Sequence, residues 1–327
     1  MKNRTKRFLK SVVLVSLAVS SMTFLGGCGK SESDGFRVVV IGKKQSEISS
    51  YWSIIRKGAE DASKELGVNV VYDAPKDAAN LEQQIKLVEQ YTDEGISAIV
   101  IAPIDKDALN DAFDAADKKG IPILAIDSDT TSGAKKTCIS TNNRSGGEVA
   151  ANAAIDLIGD SGTVAVISDI ETAENTSNRV EGFKSTVESH DEITVCDVKY
   201  CESDREKAKN MALELIDSTP DLKLIFGTNE TATLGICDAV EEKGKGDEVS
   251  VIGFDCSDDV QKYMKKDIID GTIVQNPYNM GYLGVRNAQK ICNEDFVPSE
   301  IDTGVTLVNK DNMNDKDIKF LINPLGN

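Results

Sequence analysis

Six residues of this chain combine types and positions that suit recognition of hydroxyl groups. Asp127 closes the apolar run Ile123-Leu124-Ala125-Ile126, and Asn229 follows Leu224-Ile225-Phe226. Asp255 closes Val251-Ile252-Gly253-Phe254, and Gln275 closes Gly271-Thr272-Ile273-Val274. Each therefore sits at the C-terminal end of a predicted strand, the side on which open α/β sheets bind ligands. Tyr51 and Trp52 open the first predicted helix behind a Ser49 or Ser50 cap. Carboxylates and amides exchange in-plane hydrogen bonds with several hydroxyls, while aromatic faces cover the C–H side of a ring. Together the set suits a neutral, hydroxyl-rich small molecule such as a sugar. Taken singly, each residue also fits a plainer role, because Asp and Asn cap helices after strands and aromatics pack.

Catalytic constellations are missing from the sequence. Its one histidine, His190, lies in the polar stretch Glu188-Ser189-His190-Asp191-Glu192, which reads as a surface helix end. Nucleophilic serine or cysteine mechanisms thus lack their usual base. No G-x-S-x-G, G-x-x-x-x-G-K-[ST] or strand-to-helix G-x-G-x-x-G motif occurs. The acidic tail Asp311–Asp317 lacks the glycine turn and distal glutamate of a calcium loop, and reads as a solvated linker. These features argue against an enzyme and imply neither cofactor nor metal. Cys138, Cys196, Cys201, Cys237, Cys256 and Cys292 are scattered without a C-x-x-C pair, and read as buried free thiols.

The elements that must position the six residues follow a regular rhythm. Phe36–Ile41 reads as a buried strand, and Trp52, Ile55, Ala59, Ala62 and Leu66 mark a helix ended by Gly67. Strands at Val68–Tyr72, Ala98–Ala102 and Ile123–Ile126 alternate with helices carrying Leu81, Ile85 and Val88, then Leu109, Ala112, Phe113 and Ala116. After a polar break at Ser128–Lys136, a short strand Cys138–Ser140 leads into a helix along Gly147–Ile158. A second series places strands at Thr163–Ile167, Ile193–Val198, Leu222–Phe226, Val249–Phe254 and Thr272–Val274. Helices near Val180–Val187, Ala208–Ile216 and Thr231–Val240 separate them. Continuous apolar strands alternating with amphipathic helices predict α/β architecture: two Rossmann-like lobes with parallel central sheets, a junction near Asn142 and a cleft between strand ends.

The N-terminus bears on where such a protein works. Lys2, Arg4, Lys6, Arg7 and Lys10 precede an apolar run from Val12 to Leu25, followed by Gly26-Gly27-Cys28. A basic leader, a short hydrophobic stretch and small residues before the cut make a secretory signal over residues 1–27. The cysteine after two glycines resembles a bacterial lipobox, which implies that Cys28 becomes a lipidated mature N-terminus. Residues 28–35 then read as a tether between lipid and domain. A net charge of −17 disfavours nucleic acid, and no basic cluster outside the leader offsets it.

Further segments carry a resemblance. They are Gly58-Ala59-Glu60-Asp61-Ala62 with Leu66-Gly67, Ile101-Ala102-Pro103, Ile121-Pro122-Ile123 and Arg179-Val180-Glu181-Gly182-Phe183. Thr228-Asn229-Glu230, Val251-Ile252-Gly253-Phe254-Asp255 and Thr272-Ile273-Val274-Gln275 continue the series. In this order and spacing, over about Arg37 to Val308, the chain resembles type 1 periplasmic-binding-protein solute receptors, above all the ribose-binding and related sugar-binding ones. The resemblance implies a pocket with Tyr51 and Trp52 as the aromatic pair and Asp127, Asn229, Asp255 and Gln275 as polar contacts. It implies a three-segment hinge near Asn142, Asn276 and Thr303. The lobes become 36–142 plus 277–303 and 143–276 plus 304–327.

It further implies a monomeric, lipid-anchored protein that delivers a sugar, polyol or sugar-like ligand to an ABC permease in the membrane. The alternative is a receptor of the same fold that presents its ligand-bound form to a sensor kinase or chemoreceptor. Ser128 and Ser177, which complete the expected ligand contacts, stand where ribose-type receptors carry arginines, and Ser203 where they offer an aromatic. Serine cannot supply the bidentate fork of arginine, which points away from ribose itself. Arg179 falls at a position that the resemblance gives a structural role. Lys43, in the loop Gly42-Lys43-Lys44-Gln45, reads as a surface lysine, with contact to an anionic ligand group as the alternative.

Overall fold

The computed structural model describes residues 35–48, 50–77, 80–159 and 161–326. The leader, Cys28 and Ser49 lie outside the described residues. The first half of the chain runs β1 (Arg37–Ile41), α1 (Ser50–Leu66), β2 (Asn69–Asp73), α2 (Leu81–Asp93), β3 (Ala98–Ile101), α3 (Asn110–Lys118), β4 (Ile123–Ile126) and β5 (Lys135–Ser140). Next come α4 (Asn143–Ile158), β6 (Ser161–Ser168), α5 (Glu174–Val187), β7 (Glu192–Val195), β8 (Lys199–Tyr200) and α6 (Arg205–Ser218). The second series continues with β9 (Leu222–Gly227), α7 (Glu230–Lys243), β10 (Ser250–Phe254), α8 (Asp258–Lys265) and β11 (Gly271–Gln275). Last are α9 (Pro277–Cys292), β12 (Glu300–Asp302), β13 (Val305–Val308) and α10 (Lys316–Ile322).

Two sheets result. The first has the order β12-β5-β4-β3-β1-β2, with every pair parallel. The second has the order β13-β11-β10-β9-β6-β7, with β8 also on β6 and only β13 antiparallel. Parallel strands need helical crossovers, which cover both faces and make alternate residues equally apolar. β1 shows this directly. Val38 and Val40 pack with Ile55 and Ala59 of α1 and Met280 and Val285 of α9, whereas Val39 and Ile41 pack with α2 and α3. In the second sheet, Val164 and Val166 face α4 and α5, while Ala165 and Ile167 face α6 and α7.

The chain passes between the sheets at Ser140–Asn143, Gln275–Pro277 and Asp302–Val305. This is the two-lobed α/β fold with a three-segment hinge. Helix pairs in both lobes stand at backbone contact. A Cβ on Gly58 of α1 would stand 2.0 Å from the Tyr278 carbonyl oxygen, and one on Gly281 of α9 1.9 Å from that of Ile55. The second lobe repeats the device: a Cβ on Gly147 of α4 would stand 2.1 Å from the Arg179 oxygen, and one on Gly182 of α5 2.1 Å from the Arg144 oxygen.

Several sequence expectations need correction. No helix is assigned to 258–265 or 277–292 by periodicity, yet α8 and α9 occupy them. The buried stripe of α9 includes Gly281, Gly284, Asn287 and Ala288, so its apolar period is faint. The predicted strand at 193–198 ends early, since β7 stops at Val195, and β8 at Lys199–Tyr200 lies beyond it. The tail is not a solvated linker. Asn309 and Asn312 bond each other's backbone N–H groups at 2.9 and 3.2 Å, and Asn312 Nδ2 donates to the Leu307 oxygen at 3.0 Å. That turn buries Met313, at 5% exposure, before α10 begins. α10 packs Ile318, Leu321 and Ile322 onto the second lobe, while its Phe320 ring meets Tyr278 of α9 edge-on at 5.1 Å. All six described cysteines are free, but only Cys138, Cys201 and Cys237 are buried; Cys196 and Cys256 are half-buried, and Cys292, the last residue of α9, is exposed.

Candidate binding site

A cleft of about 1520 Å³ opens between the strand ends of the two sheets. That exceeds the ~300–1,000 Å³ typical of small-molecule pockets, so a monosaccharide would leave room for water between the walls. Tyr51, Trp52, Asp127, Ser128, Asn229, Asp255 and Gln275 all line it. Ser177 does not: its hydroxyl donates to the Glu171 carbonyl at 2.8 Å. Ser203 is likewise off the wall, donating to Asp169 Oδ1 at 2.7 Å.

The first wall is built around Asp127. Its N–H extends the β4–β5 ladder to the Ile139 oxygen at 3.1 Å, and its backbone then turns through a left-handed φ of 63°. Aspartate tolerates this conformation better than most side chains, because its short polar group bonds locally. Oδ1 accepts from the Tyr51 hydroxyl at 2.7 Å. Oδ2 lies 2.9 Å from Lys43 Nζ and accepts from Ser128 Oγ at 3.0 Å. Burial opposes ionisation here, but the Lys43 ammonium and the hydrogen bonds of Tyr51, Lys43 and Ser128 outweigh it, holding the carboxyl below its ordinary value. Burial, and then the Asp127 charge, push the Tyr51 phenol well above its ordinary value, so it remains a donor. Tyr51 is thus more than a ring for stacking. Trp52, 7% exposed, meets it edge-on at 5.2 Å.

The second wall repeats the plan around Asp255. Its N–H reaches the Ile273 oxygen at 2.9 Å, and its φ is 68°. Oδ1 accepts from Gln275 Nε2 at 2.8 Å, and Gln275 Oε1 accepts from the Thr141 hydroxyl at 3.0 Å. One amide therefore joins the wall to the first hinge crossing. Burial raises the Asp255 carboxyl above its ordinary value, although Arg179 and Gln275 partly offset that. Acidification consequently protonates Asp255 before Asp127. Asn229 caps α7 with its side-chain oxygen, 2.9 Å from the Ala232 N–H, which leaves its NH₂ as the group to offer a ligand.

Three residues exceed what sequence reading assigns them. Arg179, 4% exposed, lines the cleft. It donates from Nε to Asn143 Oδ1 and from an Nη to the Thr228 oxygen, both at 2.9 Å, with its guanidinium 3.6 Å from the Phe254 ring centre. The charge of Arg179 is thereby fixed within the second wall. Lys43 is no surface lysine, since it lies in the cleft against Asp127. Buried Gln84 gives no sequence signal at all. Its amide bonds the Gly42 and Ala102 carbonyls at 3.2 and 2.8 Å and the Ile104 N–H at 2.9 Å, which fixes two loops at the cleft.

Comparison with known proteins can now be set beside this geometry. Residues 38–295 match the periplasmic binding protein domain family. The ribose import binding protein of Haemophilus influenzae is 29% identical over 303 residues, covering 92% of this chain and 98% of that protein. A carbohydrate transporter solute binding protein from Agrobacterium radiobacter, solved with D-arabinose, superposes with a TM-score of 0.79 at 33% identity, covering 90% of this chain and 100% of that one. A solute binding protein from Agrobacterium vitis, bound to α-D-tagatopyranose, gives 0.79 at 29% identity, over 88% of this chain and 99% of that one. These relatives are binding proteins of transport systems, not enzymes.

Proposed function

This chain belongs to the periplasmic binding protein domain family, and on that premise we propose that it captures a sugar or sugar-like ligand in the cleft and delivers it to an ABC importer. The observation that carries the reading is the pair of carboxylates, Asp127 and Asp255, at matching strand ends on opposite walls of one cleft. With Asn229, Gln275 and the Tyr51–Trp52 pair they offer acceptors, donors and an apolar face to a polyhydroxylated ring. The ligand is neutral on this reading. Lys43 is paired with Asp127 rather than awaiting an anion. Nine carboxylates line the cleft (Asp105, Asp127, Asp129, Asp169, Glu174, Glu230, Asp255, Glu300 and Asp302) against four cations (Lys43, Lys106, Arg144 and Arg179). A phosphate would meet net repulsion there.

Ligand capture proceeds by hinge closure about the three crossings, the ligand binding one wall first and the other completing its hydrogen bonds. Thermal unfolding against D-ribose, D-allose, D-arabinose, D-tagatose, D-fucose and polyols tests the reading. A bound sugar at 100 times its dissociation constant should add about 2.7 kcal/mol of stability. Stabilisation by an amino acid or nucleoside, with none from any carbohydrate, would sink it.

The protein acts as a monomer tethered outside the cytoplasm. Family membership supports the extracytoplasmic location, and the lipobox-like Leu25-Gly26-Gly27-Cys28 supports the anchor. Cys28→Ser should move the protein from the membrane to the soluble fraction; a variant still recovered with membranes would overturn the lipid assignment.

A further inference from the structure

We propose that the C-terminal segment, α10 with the turn that carries Leu325, is a strap between the two lobes that limits how far they separate. It concerns the hinge motion and holds whatever the ligand. The segment follows β13, after the third crossing, so it is not one of the covalent links between the sheets. It nevertheless touches both lobes. One face of α10 seats Ile318, Leu321 and Ile322 on the core of the second lobe. Phe320 leaves the opposite side of the helix, and its ring meets Tyr278 of α9, in the first lobe, edge-on at 5.1 Å. Tyr278 is fixed in that lobe: its hydroxyl donates to Asp61 Oδ2 of α1 at 3.1 Å, and its ring stacks on Tyr282 at 6.1 Å.

Leu325 makes the second contact. It closes a groove of about 270 Å³ whose other side is Ser46, Ser53, Arg56 and Lys57, at and before the start of α1. Arg56 holds that side in place, donating from Nε to Glu60 and from an Nη to Glu47, both at 2.7 Å. Phe320 and Leu325 are 54% and 37% exposed, and neither belongs to the core of the second lobe. The first lobe supplies the ring against one and the groove under the other. Geometry sets the sign of the effect. α1 also carries Tyr51 and Trp52 of the first wall. The walls stand near enough here for the Asp255 charge of the second to help raise the Tyr51 phenol of the first. Swinging the first lobe away carries α1 and α9 off a segment seated on the second, so opening breaks both contacts. The strap therefore favours the closed form, and apparent affinity rises with the share of the binding-competent form.

Small-angle X-ray scattering without ligand, and titration calorimetry with the tightest sugar of the panel above, test this. The proteins are wild type, Phe320→Ala, Leu325→Ala, Tyr278→Ala and the double variant Phe320→Ala/Tyr278→Ala. Phe320→Ala should enlarge the radius of gyration and weaken sugar binding roughly 2- to 10-fold, the range of one aromatic edge contact. Leu325→Ala should act in the same direction. The double variant should bind as Tyr278→Ala does, because either truncation already removes the pair. Leu157→Ala, which trims a 45% exposed side chain of α4, is the control and should change neither quantity. If Phe320→Ala and Leu325→Ala scatter like wild type, α10 only packs on the second lobe and the proposal falls, whatever their urea midpoints. It falls equally if both bind the sugar as tightly as wild type does. Should wild type bind no sugar, the sugar reading fails alone, and the scattering still decides the strap.

Discussion

Replacing Asp127 by Asn is expected to weaken sugar binding by roughly 2–5 kcal/mol, on the order of 30- to several-thousand-fold, while the protein stays folded. The amide keeps the size of the side chain and tolerates the left-handed φ of 63°. It must, however, present an NH₂ where a carboxylate oxygen stood, toward either the Tyr51 hydroxyl or the Lys43 ammonium, which are both donors. Asp127→Ala should lose binding as completely and also cost about 1–3 kcal/mol of stability, because it strips the acceptor from a buried phenol. The other neighbour of that hydroxyl is the Met280 sulfur at 3.5 Å, a weak acceptor. Calorimetry with the tightest sugar and urea unfolding separate the two effects. Ser177→Ala is the control, expected to bind like wild type because its hydroxyl faces Glu171 away from the cleft. Undiminished binding by Asp127→Asn would remove Asp127 from the site.

The second large effect concerns stability. In an exposed helix, Gly→Ala stabilises by roughly 0.5–1 kcal/mol. At Gly147 and Gly182 the sign should reverse, with losses of about 1–3 kcal/mol or more, because the added methyl would meet carbonyl oxygens at 2.1 Å. A clash with backbone has no rotamer to relieve it, so α4 and α5 must move apart. Gly147→Ala should also weaken sugar binding, because the oxygen it strikes belongs to Arg179, whose guanidinium is set in the second wall. Gly133→Ala, with nothing within 4 Å of the new methyl, should be close to neutral. Urea midpoints for the three variants decide the matter, and a Gly147→Ala protein as stable as Gly133→Ala would refute the close-contact argument.

What could be read from sequence follows the range of the interactions involved. Asp127, Asp255 and Gln275 are legible because buried parallel strands are continuous apolar runs, and the polar residue ending each run stands out. The left-handed turn at both aspartates is not legible, because it depends on the neighbouring strand accepting their N–H groups. Lys43 is opaque for a similar reason: its partners, Asp127 and Ser128, are more than eighty residues away. Ser177 and Arg179 show the limit of matching a resemblance position by position. Two helical residues apart, they point to nearly opposite sides, so the serine faces a carbonyl and the arginine faces the cleft. α9 hides because its packing face is built on glycine, where close approach replaces apolar bulk.

Trp52 is the single tryptophan of the chain, and it forms part of the cleft wall against Tyr51. Its indole is therefore a built-in optical reporter without background. Any change in tryptophan fluorescence when a solute is added originates at that wall, so emission alone can rank ligands and follow capture in time on unlabelled protein.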